Sequence, residues 1–555
     1  MPTLNWIGKE KVINHHRDVP FKILEHKYGF NDADGELKEP VNSGNKIIHG
    51  DNLEALKSLL PEYEGKIKCI YIDPPYNTGN ENWVYNDNVN HPKIKKWLEA
   101  TLKAKENGKE AAIGIDDLAR HDKWLCMMYP RLKLLQKLLA DDGAIFISID
   151  DNEDASLKYL LEEIFGSSNI IGKVCWFKKR KGSYLSKEFV SLTEYIYIYR
   201  KNKKLSLFGG KPNSEESQPL VKRTNSIGVL KFPAKKVSSK LKDGVYPKGK
   251  YGKGTSSVTL LNDITITDGI IEDEFMLEAP FIWSQSFLDD EIKNGAEITI
   301  NTLNLQPRAF RNSEDKHKGF PSYLDGREFS ATTDDAYETL KEIFSTDRIF
   351  DYSKPYQLIS YLVNSITHFD KNSIVLDSFA GSGTTAHAVL NLNNQDEGNR
   401  KFILVEMEDY ANTITAERVK RVINGYGDKE GTGGSFDYYE LGKPLFVGEN
   451  NEYLNEEVDT EKIREYIWYS ETRKAFEQPE LKSDTPYFLG KKEGTAYYFI
   501  YEKDSLTTLD YDTLSTIKTK AGQYVIYADN CLLPKDFMMK KNIIFKKIPR
   551  DVTRF

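Results

Sequence analysis

Short apolar runs that end in a polar turn recur along the first third of the chain. KIIHGD at 46–51, KCIYID at 68–73 and GAIFISID at 143–150 share this form. Each reads as a strand buried on both faces, the signature of a parallel sheet. Between them, LEALKSLL at 53–60 and WLCMMYPRLKLLQKLLA at 124–140 repeat apolar residues at helical spacing. The alternation predicts an α/β fold. It blurs across 260–340 and resumes with strand-like SIVLDSFAGSG at 373–383 and KFILVEME at 401–408, then helical TAERVKRVI at 415–423. GYGDKEGTGGS at 425–435 reads as a linker. Beyond it, TAYYFIYE and GQYVIYAD predict strands of a small, separate α/β module.

The chain has 555 residues, enough for three or four domains. No run of about 18 apolar residues predicts a membrane-spanning helix, and the N-terminus lacks the apolar core of a signal peptide. Cys69, Cys126, Cys175 and Cys531 are scattered, with no CxxC pair. That usage suits reduced thiols in the cytoplasm, with neither a disulfide nor a metal site. The formal charge of −7, taken alone, argues against a nucleic-acid partner. Its distribution reverses that inference. Residues 171–260 hold 21 Lys and Arg against 5 Asp and Glu, a surplus of 16 positive charges, and the other 465 residues therefore carry −23. Aromatic residues such as Tyr184, Tyr195, Phe208 and Tyr246 are interspersed. This stretch suits a phosphate backbone and unstacked bases; a solvated, lysine-rich loop region is the other reading.

Asp73-Pro74-Pro75-Tyr76 directly follows the strand KCIYI. Two prolines stiffen the turn and remove two donors, which leaves carbonyls free to accept. A carboxylate, a carbonyl and an aromatic face then stand at the C-terminal edge of a sheet, where open α/β sheets bind ligands. The set suits methyl transfer to an exocyclic amine, whose nitrogen lone pair is conjugated with its ring. Two acceptors, the Asp73 carboxylate and the Pro74 carbonyl, can hold the two N–H groups and favour a more tetrahedral nitrogen. Tyr76 can stack on the base. Such a reaction runs on positioning and electrostatics, without a metal. A stiff turn after a strand is the plainer alternative.

The second motif, VLDSFAGSGTT at 375–385, is a strand, a glycine turn and a helix start. Gly381 and Gly383 permit close approach of backbone to a ligand. Asp377 stands where an acid can meet a cofactor amino group. Glu406, at the end of the next strand, suits a pair of ribose hydroxyls. The pattern of a nucleoside-triphosphate loop is absent.

Together these residues resemble the amino-methylating DNA methyltransferases that depend on S-adenosylmethionine, in the permuted β-type order of catalytic motif, recognition segment and cofactor loop. IDPPYNTGN (72–80), the stretch 121–153, TEYIYIYRKN (193–202), GTGGSFDYYELG (431–442) and IIFKKIPRDV (543–552) narrow the resemblance to modification subunits of type III restriction systems. The resemblance implies a Rossmann-like methyltransferase domain interrupted by a target-recognition domain. It implies N6 methylation of adenine in a short site of double-stranded DNA. It also implies a homodimer able to join a separate restriction subunit. Asp73, Pro74, Pro75 and Tyr76 would be catalytic. Asp51, Lys354, Pro355, Asp377, Phe379, Gly381, Gly383, Thr384, Thr385 and Glu406 would bind the cofactor.

Lys178, Lys179, Arg180 and Lys181 are then the candidate phosphate contacts. The span 80–120 reads either as a loop closing over a flipped base or as a surface insertion. The expected division is an N-terminal arm (1–40), the catalytic halves (41–200 and 341–430), a recognition domain (201–340) and a C-terminal module (431–555). A stand-alone adenine or cytosine-N4 enzyme and a catalytically silent recognition subunit are the alternatives.

Overall fold

The computed structural model describes residues 4–78, 115–181, 188–210, 217–254, 257–311, 317–448, 452–477 and 486–552. Most of the 80–120 span lies outside them. The chain divides into two compact units, 208–320 and the remainder.

The larger unit is built on one sheet of eleven strands. In chain order these are β1 (Lys22–Asn31), β2 (Gly35–Leu37), β3 (Lys46–His49), β4 (Ile67–Ile72), β5 (Leu139–Ile149), β6 (Ile170–Phe177), β7 (Thr193–Arg200), β8 (Tyr323–Asp325), β9 (Ile374–Asp377), β10 (Lys401–Glu406) and β11 (Ser435–Pro444). Their spatial order is β8-β6-β7-β5-β4-β9-β10-β3-β11-β1-β2. The run from β5 to β11 is parallel. These strands are nearly continuous apolar sequence, as burial on both faces demands: Ile70, Ile72, Ile145, Ile147, Leu376, Ile403 and Val405 are all buried. The flanking helices include α1 (Asn52–Tyr63), α2 (Ile115–Leu138), α3 (Asp154–Phe165), α4 (Thr333–Phe344), α5 (Tyr356–Thr367), α6 (Thr384–Asp396) and α7 (Glu417–Asn424). None of the described helices is long and apolar enough to cross a membrane.

β7 reverses direction, pairing antiparallel with both β5 and β6. Tyr195 therefore faces Ile149 at the C-terminal end of β5. That reversal carries the start of β7 to the edge where β4, β9 and β10 end.

The domain boundaries differ from those read from sequence. β8 pairs with β6 in the large sheet, so the recognition span drawn as 201–340 overshoots the 208–320 unit. β1 and β11 are strands of the same sheet. The N-terminal arm and the start of the C-terminal module are thus parts of the main fold. The glycine-rich 425–435 stretch contains a small hairpin, Gly425–Tyr426 with Lys429–Glu430, and leads straight into β11. Of the strands described within 488–547, four form their own sheet, three of them parallel, and two form a small pair. Their Phe499, Val525 and Tyr527 nevertheless belong to the main apolar core. Shared burial, invisible in a linear pattern, ties this segment to the rest.

Among its described residues, the 208–320 unit holds a seven-stranded and a four-stranded sheet and one α-helix, Gln285–Lys293. Its own core includes Leu230, Phe232, Val258, Leu260, Phe275, Leu277 and Ile298. Strands of two to five residues between Gly, Asp and Lys turns explain why no periodicity stood out there.

Candidate active site

The parallel run brings four strand ends to one edge: Gly50-Asp51 after β3, Asp73 after β4, Asp377 at the end of β9 and Glu406 at the end of β10. β4 and β9 are hydrogen-bonded neighbours, with Cys69 opposite Val375 and Ile70 opposite Leu376. The two sequence motifs, some 300 residues apart, are therefore adjacent in space.

Asp73 lies in a cluster of alternating charge. The Lys354 ammonium donates to Asp73 Oδ2 at 2.6 Å and stands 3.6 Å from Glu194 Oε2. The Tyr76 hydroxyl lies 2.8 Å from Asp73 Oδ1 and 3.0 Å from Glu194 Oε2. Lys178 donates to Glu194 Oε1 at 2.6 Å. Lys354 also sits over the Tyr76 ring, 4.9 Å from its centroid. Burial pushes the Glu194 carboxyl up, but the Lys354 and Lys178 ammoniums outweigh it and hold the group below the ordinary glutamate range. Burial likewise opposes the Lys354 charge, while Asp73 and Glu194 raise its pKa above the ordinary lysine value. The cluster keeps two anions and two cations in a poorly solvated place.

The turn itself is braced from below. The buried Trp124 indole, on α2, donates to the Pro75 carbonyl at 2.7 Å. Asn77 takes φ +61°, a left-handed conformation that asparagine tolerates. Its amide donates to the fully buried Glu153, which also meets His121 Nδ1 at 2.6 Å. Burial raises the Glu153 carboxyl above its usual range.

The glycine turn runs from β9 into α6. Gly381 and Gly383 have φ of +52° and +81°. A Cβ on Gly383 would lie 2.9 Å from the Thr415 carbonyl oxygen. Asp377 accepts from the Phe379 amide at 3.0 Å and from the Thr385 hydroxyl at 2.5 Å. Glu406 accepts three backbone N–H groups, from Gly381 at 2.7 Å, Met407 at 2.9 Å and Glu408 at 3.0 Å. Both acids are 2% exposed, and burial pushes each carboxyl up to about 7. Ser378 between them has a buried hydroxyl without a hydrogen-bond partner among the described residues. Two buried acids with no cation partner among the described residues and an orphan hydroxyl fit a ligand carrying an amino group and hydroxyls. Below the turn, buried Arg418 donates to Ser382 Oγ and Thr384 Oγ1, both at 2.8 Å, and Ser353 Oγ lies 2.8 Å from Ser382 Oγ. Thr384 thus braces the turn, and Pro355 opens α5 beside it.

The remaining expected residues fall differently. Asp51 caps α1, accepting from Leu53 and Glu54 amides at 2.9 and 3.2 Å. Lys178, expected as a phosphate contact, is instead turned onto Glu194: its side chain is mostly buried. Arg180 pairs with Asp335. Lys179 and Lys181 pair with no carboxylate among the described residues. Glu194, Trp124 and Glu153 escaped the sequence reading. Only Glu194 left a signal, an acid opening a strand of alternating Tyr and Ile.

Residues 67–417 match the model of a DNA methylase family, the N6/N4 methyltransferases. The EcoPI Mod subunit of a type III restriction-modification enzyme, from Escherichia phage P1, is 34% identical over 434 residues, covering 74% of this chain and 64% of that protein. The StyLTI Mod subunit from Salmonella typhimurium is 32% identical, covering 67% and 54%. The EcoP15I Mod subunit from Escherichia coli is 29% identical, covering 73% and 64%. The chain therefore spans between about half and two thirds of these relatives. Among solved structures, an M1.HpyAVI–SAM complex aligns over 67% of this chain and 98% of that one, at 15% identity and a TM-score of 0.30. At that distance the fold description rests on the chain's own strand order. The family match runs unbroken from the strand before Asp73, through both halves of the edge, to the start of α7, and on that ground the chain belongs to the N6/N4 DNA methylase family.

Proposed function

We propose that this chain is the modification subunit of a type III restriction system, methylating adenine N6 in a short site of double-stranded DNA. The carrying observation is the Asp73 carboxylate at the end of β4, next to Pro74 and bonded to Lys354 from the glycine-turn half of the sheet. Asp73 accepts one N–H of the target amine and the Pro74 carbonyl the other. The nitrogen is thereby held with its lone pair available, and the Tyr76 ring stacks on the base. Trp124 keeps Pro75, and with it the Pro74 carbonyl, in place. The base reaches this edge only after leaving the duplex.

The residues present fit S-adenosylmethionine as cofactor. Asp377 would take its amino group, Glu406 its ribose hydroxyls, and the Gly381–Gly383 turn would allow close approach, with Phe379, Thr385, Lys354 and Pro355 around it and Asp51 near the adenine. When bound, it supplies an electrophilic methyl group on a sulfonium sulfur.

The order along the chain (Asp73 motif, 208–320 unit, glycine turn) supports the permuted β-type arrangement. The 208–320 unit would be the target-recognition domain. The Mod-subunit relatives, each named as a subunit of a restriction-modification enzyme, support a separate restriction subunit as partner; a homodimer and a cytoplasmic setting complete the proposed reading. Asp at 73 supports adenine over cytosine N4.

The test is methylation of plasmid DNA by the purified chain with S-adenosylmethionine, read by long-read sequencing. N6-methyladenine at one asymmetric motif is expected. N4-methylcytosine, or no modified base, would refute the reading.

A further inference from the structure

A target amine arriving at Asp73 meets a neighbour already on each carboxylate oxygen and must share or displace it. Oδ1 is met by the Tyr76 hydroxyl at 2.8 Å and Oδ2 by the Lys354 ammonium at 2.6 Å. Breaking a buried ammonium–carboxylate contact is costly unless the ammonium has another acceptor within reach. Glu194 is that acceptor for both donors. Its Oε2 lies 3.0 Å from the Tyr76 hydroxyl and 3.6 Å from the Lys354 ammonium. The Tyr76 hydroxyl has one proton and two carboxylate neighbours, so it can serve only one fully at a time.

The other Glu194 oxygen is fixed. Lys178 holds Oε1 at 2.6 Å. The Lys178 backbone is pinned in turn: its amide donates to the Leu192 carbonyl at 2.9 Å, and its carbonyl accepts from the Thr333 amide at 2.8 Å. With Oε1 anchored, Oε2 faces the two donors that now sit on Asp73. The exchange leaves the net charge of the cluster unchanged, with two carboxylates and two ammoniums before and after.

We propose that Glu194 is a positioning residue of methyl transfer: the Tyr76 hydroxyl and the Lys354 ammonium turn onto its Oε2 as the target amine takes their place on Asp73. Lys178 is the fixed counter-charge that keeps this acceptor ionised and aimed. The inference rests on the amine methylation proposed above and adds a residue to it.

The test is single-turnover methyl transfer on DNA containing the mapped site, with DNA and cofactor affinities measured alongside. E194Q is expected to slow transfer about tenfold or more, with both affinities within about threefold of wild type. The distinguishing variant is E194Q/K354Q. If Glu194 acts by drawing Lys354 from Asp73, removing that lysine as well makes the double variant faster than E194Q. A purely structural Glu194 makes it slower still. E194D keeps the charge and draws the acceptor back by one methylene; it should transfer at an intermediate rate, which holds the test open should E194Q not fold. With cofactor saturating for each variant, wild-type rates in E194Q or E194D, or a double variant no faster than E194Q, would overturn the inference. A wild-type chain that transfers no methyl group would instead refute the proposed function itself.

Discussion

The Lys354 ammonium lies 2.6 Å from Asp73 Oδ2 although 281 positions of chain separate the two residues. The contact joins the half of the sheet that carries the proline turn to the half that carries the glycine turn. It works only because β4 and β9 are neighbours, and α5 begins just after Lys354. On the proposed reading, transfer chemistry at Asp73 and cofactor binding at Asp377 are thus built by different stretches of sequence, and variants should separate them.

Trp124→Phe should slow transfer without weakening cofactor binding. The indole N–H to the Pro75 carbonyl, 2.7 Å long and partly buried, is the brace it removes. Leaving that carbonyl unpaired costs about 1–3 kcal/mol. A transfer rate reduced about tenfold, with cofactor affinity unchanged by calorimetry, is the expected outcome.

Gly383→Ala should damage cofactor binding first. The residue has φ +81°, and a new Cβ would press on the Thr415 carbonyl at 2.9 Å. Strain of about 1–3 kcal/mol must be relieved by shifting the turn. We expect cofactor affinity to fall about tenfold or more in direct titration.

Asp377 and Glu406 set a pH dependence of definite sign. Burial raises each carboxyl to about 7 in the ligand-free protein, above the unfolded values. Their contribution to stability is therefore fully present at pH below about 4 and is lost as pH rises through about 7. A ligand that donates to the ionised carboxylates favours the deprotonated form. S-adenosylmethionine should bind more tightly as pH rises from 6 to 8 and release protons on binding near pH 7. Calorimetry in buffers of different ionisation enthalpy measures that release. Asp377→Asn should reduce it and weaken binding.

The basic stretch predicts a salt-dependent partner. Replacing both Lys179 and Lys181, neither of which is ion-paired among the described residues, should weaken DNA binding at every sequence alike. The slope of log affinity against log salt should become shallower by about one for each lysine that had neutralised a phosphate. Replacing Lys178 should leave that slope unchanged, because its ammonium is committed to Glu194. Fluorescence anisotropy across a salt series reads both.

What could be seen in the sequence was local. β4 and β9 were legible as apolar runs ending in acids, and the glycine turn as a strand-to-helix reversal. Lys354 and Pro355 were legible only through resemblance. Glu194 was hidden because its place depends on β7 running antiparallel between β5 and β6, a pairing that no local pattern encodes. Lys178 looked like one of four exposed cations in a row. Its burial follows from Trp176 facing Glu194 across the same pair of strands, two residues before it. β1 and β11 read as arm and module from sequence because a sheet accepts strands from any part of a chain.

The central claim is that Asp73 receives the target amine while Asp377 and Glu406 hold the cofactor. Single-turnover transfer of labelled methyl by Asp73→Ala, with cofactor affinity measured on the same preparation, tests it most directly. The account predicts transfer reduced by about a thousandfold or more with cofactor affinity within about threefold of wild type. Transfer persisting near the wild-type rate in that variant would contradict it.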